Sequence, residues 1–142
     1  MTNFATNQQT PDGAAEILKP HYEGKIVYDL GAGNGNLALQ MAQYAKKVVA
    51  VELDETLAGD CQMRGLETIR DDFLNIDLSG AEVLYIFMSF FGTCALTNKL
   101  IQDGWHGTVI SQYYPLHSSL IDIIKPKLIV YHNNLPYLIY YV

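Results

Sequence analysis

Residues 29–35 read Asp-Leu-Gly-Ala-Gly-Asn-Gly, and they join an apolar, β-branched stretch at 25–30 to a helix-like stretch from about 36 to 45. Three glycines at alternate positions permit backbone angles that side chains forbid, and they let the main chain approach a ligand without Cβ atoms in the way. A strand, a tight glycine turn and a helix in that order begin an α/β fold. In the helical stretch Leu37, Met41 and Ala45 share one side, with Ala38 beside them.

The rest of the chain continues the alternation. Thr10 and Pro11 stand at the cap and first turn of an N-terminal helix carrying Ala14, Ala15, Ile17 and Leu18, stopped by Pro20. Residues 47–53 read as a second strand. Residues 54–63 form a short helix capped by Asp54 and ended by Gly65, and 67–70 a brief third strand. Strands follow at 83–89 and 108–114, with a helix at 93–102 between them. Residues 127–132 and 137–142, separated by Asn133-Asn134-Leu135-Pro136, read as a closing antiparallel hairpin. The expected fold is α/β and Rossmann-like, a seven-stranded, mostly parallel sheet. The link from Phe73 to Glu82 is too short for a full crossover helix, which leaves that side thinly covered.

A chain of 142 residues, 49% of them apolar, has room for one domain over 1–142, with 1–24 as its N-terminal loop and helix. No apolar run reaches bilayer-spanning length and no leader pattern opens the chain, so a cytoplasmic protein is expected. Cys61 and Cys94 fit neither a disulfide framework nor a metal-ligand array, and they read as small buried side chains. His21, His106, His117 and His132 are scattered and favour neither a metal site nor a catalytic role. A net charge of −6 weighs against nucleic acid, which basic patches usually hold.

In open α/β sheets ligands lie beyond the carboxyl ends of the strands, so residues just after each strand carry the chemistry. After the first strand stand Asp29, Gly31, Ala32, Gly33, Asn34 and Gly35. The third glycine arrives one residue earlier than in the dinucleotide fingerprint, and an acid precedes the first; both differences favour S-adenosylmethionine over NAD. Glu52, followed by Leu53, ends the second strand, where a carboxylate can accept from both ribose hydroxyls. Asp71 and Asp72 follow the third, where a carboxylate can accept from an adenine amino group while Phe73 packs on the ring. Each acid alone is better read as a solvated loop residue or helix cap. Their recurrence after successive strands carries the weight.

With these motifs the chain resembles the class I S-adenosylmethionine-dependent methyltransferases over nearly its whole length. The resemblance implies that Asp29 and the three glycines surround the methionine moiety, that Glu52 binds ribose and Asp72 adenine, and that S-adenosylhomocysteine is the product. Three stretches, 26–35, 70–77 running into 83–87, and 108–111, look most like the small archaeal protein-lysine methyltransferases and the mitochondrial enzymes that methylate an ATP-synthase subunit. That likeness implies a protein partner with an accessible lysine.

Met88-Ser89-Phe90-Phe91 follows the fourth strand, where amino methyltransferases of nucleic-acid bases usually carry Asn/Asp-Pro-Pro-aromatic. The difference weighs against base methylation and leaves a small molecule, RNA or catalytic silence as alternatives to lysine. A neutral amine must be held in line with the sulfonium methyl away from water, and Phe90, Tyr113 and Tyr114 are the candidate walls. Strand alternation places one of Phe90 and Phe91, and one of Tyr113 and Tyr114, in the core. Gln9 and Thr10 stand where similar enzymes close a lid over the methionine end. Tyr131, Tyr137, Tyr140 and Tyr141 alternate between buried and exposed, as amphipathic sheet residues or as a strip for self-association.

Overall fold

The computed structural model describes residues 11–120 and 124–142. Helix α1 (Ala14–Leu18) and a 3-10 turn lead into β1 (Ile26–Leu30), α2 (Asn36–Met41), β2 (Lys47–Val51), α3 (Glu55–Met63) and β3 (Glu67–Ile69). After a 3-10 turn at Phe73–Asn75 come β4 (Val83–Ile86), α4 (Phe90–Asp103), β5 (Thr108–Gln112), β6 (Leu128–His132) and β7 (Leu135–Tyr141). The strands form one sheet in the order β3-β2-β1-β4-β5-β7-β6. The first five are parallel, and β7 runs antiparallel to both β5 and β6. This is the expected seven-stranded α/β sheet.

Period-two alternation divides the core between the two faces of the sheet. Val83, Tyr85 and Ile110 pack with Ala14, Leu18, Ala38, Met41 and Cys61 of α1 to α3. Leu84, Ile86 and Val109 pack on the other face with Leu96 and Leu100 of α4 and with Trp105. A single 3-10 turn spans the link between β3 and β4, so Phe73, Leu78 and Ala81 help to fill the α4 side where a crossover helix is missing.

Several boundaries differ from the sequence reading. Helix α1 starts at Ala14 behind Gly13, whose φ is +89°, and Gly13 offers no capping side chain. The closing turn has two residues, Asn133 and Asn134 with φ of +51° and +62°, and Leu135 and Pro136 already belong to β7. Two consecutive left-handed residues match the twist of a tight hairpin, and asparagine adopts that conformation more readily than most side chains do. Strand β4 ends at Ile86, because the Ser89 hydroxyl accepts from the Gly92 N–H and starts α4 at Phe90.

Strand order reverses between β1 and β4, each the start of a run to opposite sides, and this opens a crevice at their carboxyl ends. Among the described residues no helix is long and apolar enough to cross a membrane.

Candidate active site

Asp29 sits next to last in β1, on the same face as Val27, and is 3% exposed. Its carboxylate makes no hydrogen bond among the described residues. Burial, and then the nearby Glu52 carboxylate, push its pKa up to about 7. A buried carboxylate without a donor is costly unless a cation or donor arrives to pair with it.

The turn that follows is held from behind. Gly31 and Ala32 donate their N–H groups to the Val51 carbonyl at 2.8 and 3.1 Å, and the Gly33 N–H donates to Glu52 Oε1 at 2.8 Å. The Gly35 N–H is taken by the Ala32 carbonyl, and that of Asn36 by Asn34 Oδ1. These N–H groups therefore face the protein and do not form an anion cradle. Gly31 and Gly33 have φ of +81° and +61°, and a Cβ on either would meet nothing within 4 Å. Gly35 differs, because a Cβ there would lie 2.7 Å from Leu66 Cδ1 and 3.2 Å from Cys61 Sγ.

Helix α3 and its C-cap residue supply three hydrogen bonds that local sequence patterns do not announce. The Cys61 thiol donates to the Gly33 carbonyl at 3.2 Å, and Arg64 Nη1 donates to the Asn34 carbonyl at 3.1 Å and to Asn36 Oδ1 at 2.7 Å. Burial, then the charges of Asp29 and Glu52, push the Cys61 thiol up to about 11, so it stays protonated and able to donate.

Glu52 follows β2 and is 6% exposed. Its Oε1 accepts from Gly33 and its Oε2 from the Asp54 N–H at 2.9 Å. A carboxylate has about four lone-pair directions, so each oxygen retains capacity for a ligand hydroxyl. Leu53 is half-buried beside it. After β3, Asp71 Oδ1 accepts from the Asp72 N–H at 2.7 Å, and buried Asp72 accepts from the Leu74 N–H at 3.0 Å. Phe73 and Met88 are buried in the α4-side core. Asp29, the glycine turn, Glu52, Asp71, Asp72 and Met88 thus share the carboxyl edge of the parallel strands. Thr10 and Gln9 lie outside the described residues.

The aromatic candidates stand farther along that edge. Phe90 and Phe91 open α4, and both are exposed, at 53% and 74%, because a helical first turn replaces the strand alternation expected of them. Strand β5 likewise ends before Tyr113, which is exposed with φ +71°, while Tyr114 is half-buried and edge-on to it. The Tyr113 N–H donates to the Pro136 carbonyl at 2.8 Å, and the Ser111 hydroxyl donates to the Tyr114 carbonyl, so β7 and β5 together hold this pair. His117, passed over in the sequence, stacks on Phe90 with ring centres 3.9 Å apart. Among the described residues no cluster of His, Cys, Asp and Glu is arranged to hold a metal.

The unpaired Asp29 carboxylate, the open space before Gly31 and Gly33, and Glu52 fit a ligand with a cationic amino-acid end and a ribose. The strand order is that of the class I S-adenosylmethionine-dependent methyltransferases, and S-adenosylmethionine is the cofactor of the class. A sequence profile described as ribosomal RNA adenine dimethylase matches residues 1–101, and the chain belongs to that family.

The chain is 32% identical over 83 residues to a probable dimethyladenosine transferase of Dictyostelium discoideum, covering 53% of this chain and 26% of that protein. It is 29% identical over 114 residues to an rRNA adenine N-6-methyltransferase of Corynebacterium diphtheriae, covering 76% and 44%. The chain thus spans less than half the length of these curated relatives. Among solved structures, an RNA methyltransferase from Salinibacter ruber in complex with S-adenosyl-L-homocysteine shares the fold. It has a TM-score of 0.80 at 18% identity, with 94% of this chain and 93% of that one covered.

These findings correct the expected protein-lysine partner and the weight placed on net charge against nucleic acid, since the family and the relatives bear the names of RNA enzymes. Total charge is a sum over the whole surface, whereas a base stacked on an aromatic ring requires no cation beneath it.

Proposed function

We propose that this chain transfers a methyl group from S-adenosylmethionine to a base of RNA. The observation that carries the reading is the buried Asp29, unpaired among the described residues, beside a glycine turn in which the N–H groups of Gly31, Ala32, Gly33 and Gly35 are already satisfied. Such a site repels phosphate and attracts the ammonium of an amino-acid moiety. In this reading Glu52 accepts from the ribose hydroxyls, and Asp72 with Asp71 receives the adenine amino group. Gly31, Ala32, Gly33 and Asn34 let the ligand lie against backbone, while Leu53, Phe73 and Met88 wall the adenosine end. When bound, S-adenosylmethionine supplies an electrophilic methyl on a sulfonium sulfur. Phe90, Tyr113 and Tyr114 keep water from the acceptor and hold its ring by stacking. The family description supports adenine as the acceptor.

One feature favours a second reading. Residues 86–92 contain no Asn or Asp, and Ser89 is engaged in capping α4, so an exocyclic amine meets no side-chain amide or carboxylate there. That composition favours a cofactor-binding RNA protein without amine methylation. Titration calorimetry tests the shared premise. S-adenosylmethionine and S-adenosylhomocysteine should both bind, with Asp29→Ala and Glu52→Ala each weakening binding at least tenfold, as expected for the loss of a charge-assisted contact of about 1.5–3 kcal/mol. Unchanged affinity in both variants contradicts the site.

A further inference from the structure

His117 lies on the segment that follows β5, far in sequence from Phe90, yet their rings stack at 3.9 Å with planes 19° apart. His117 Nε2 is also 2.8 Å from the Phe90 carbonyl oxygen, a spacing that makes this nitrogen the N–H donor. Phe91 meets Phe90 edge to face at 5.7 Å. Although His117 covers one face of Phe90, the Phe90 residue remains 53% exposed, directly after the Met88-Ser89 segment that closes the cofactor edge.

The strap carrying His117 is pinned at both flanks. The Leu116 N–H donates to the Tyr140 hydroxyl at 3.0 Å, and Leu116 is buried. Beyond His117, the Ser118 hydroxyl donates to Asn98 Oδ1, and Asn98 Nδ2 donates to Ser119 Oγ at 3.0 Å, tying the strap to α4. A histidine placed this firmly against an exposed ring fixes the ring's tilt. Neither the segment 86–92 nor 113–119 contains Lys or Arg, so a ligand held here is held by ring faces and not by its phosphates.

We propose that His117 is a positioning residue for the acceptor: it backs Phe90 so that the two rings form a platform on which an unpaired RNA base stacks. The proposal rests on the RNA reading above and adds to it the residue that orients the platform. Unpaired bases offer the π-faces such a platform needs, whereas bases within a helix are already stacked.

Fluorescence anisotropy with a labelled, unstructured single-stranded RNA, in the presence of S-adenosylhomocysteine, tests it. His117→Gln, which keeps a side-chain N–H donor but loses the ring, should weaken RNA binding about three- to tenfold, as expected for one aromatic contact. His117→Phe, which keeps the ring and loses the donor, should restore binding to within about twofold of wild type. Calorimetric affinity for S-adenosylhomocysteine should stay unchanged in both, which separates positioning from a damaged fold. Equal RNA binding by wild type and His117→Gln overturns the His117 assignment and leaves the RNA reading standing, as does a His117→Phe variant as weak as His117→Gln. Absence of RNA binding by the wild-type chain overturns both.

Discussion

Asp29 and Glu52 are neighbouring buried acids with different surroundings: among the described residues Glu52 accepts two backbone N–H groups, while Asp29 accepts none. Burial and the Glu52 charge therefore raise the Asp29 pKa from 3.8 to about 7 in the folded chain. A raised folded-state pKa means that the folded protein binds the proton more tightly than the unfolded one, so stability present at low pH is lost as pH climbs from about 4 through 7. Without cofactor, Asp29→Asn should match wild type in thermal unfolding near pH 3.5 and exceed it near pH 8; equal melting at both ends would contradict the account. Asp29, the glycines and Glu52 could be singled out in the sequence because each lies at, or just beyond, the carboxyl end of a strand. Cys61, Arg64 and His117 were not, since each acts through a partner 27 to 30 residues away that no local period reveals.

At the scale of elements, strand and helix types followed from period and turn chemistry, whereas their ends were decided by single capping groups. Ser89 shows this most clearly, for its hydroxyl converts an apparent continuation of β4 into the first turn of α4 and so turns Phe90 and Phe91 outward. The hairpin was legible, but Asn133 and Asn134 complete its turn alone, which brings Pro136 into β7 and its carbonyl to the Tyr113 N–H. Strand β7 also carries the Tyr137 hydroxyl, buried without a hydrogen-bond partner among the described residues, its pKa pushed by burial up to about 12. Removing an unsatisfied buried hydroxyl relieves a desolvation cost, so Tyr137→Phe should raise unfolding stability by about 1 kcal/mol in a denaturant titration. A loss of similar size would show that the hydroxyl has a partner.

Across the whole molecule, one sheet places the cofactor candidates beyond β1, β2 and β3 and the aromatic candidates beyond β4 and β5, on a single edge divided by the switch point. Alternating strands and helices made that architecture readable before any coordinate. The acceptor was not readable in the same way: a net charge of −6 is a sum that locates no surface, and the stack of His117 on Phe90 forms only when the strap after β5 folds back onto α4. Transfer of labelled methyl from S-adenosylmethionine, offered unmethylated ribosomal RNA transcribed in vitro alongside protein and small-molecule fractions of a lysate, tests the central proposal most directly. Label should enter the RNA and fall at least tenfold with Asp29→Ala, the size expected for the loss of a charge-assisted contact of about 1.5–3 kcal/mol. Label appearing in protein or small molecules while the RNA stays unlabelled would contradict it.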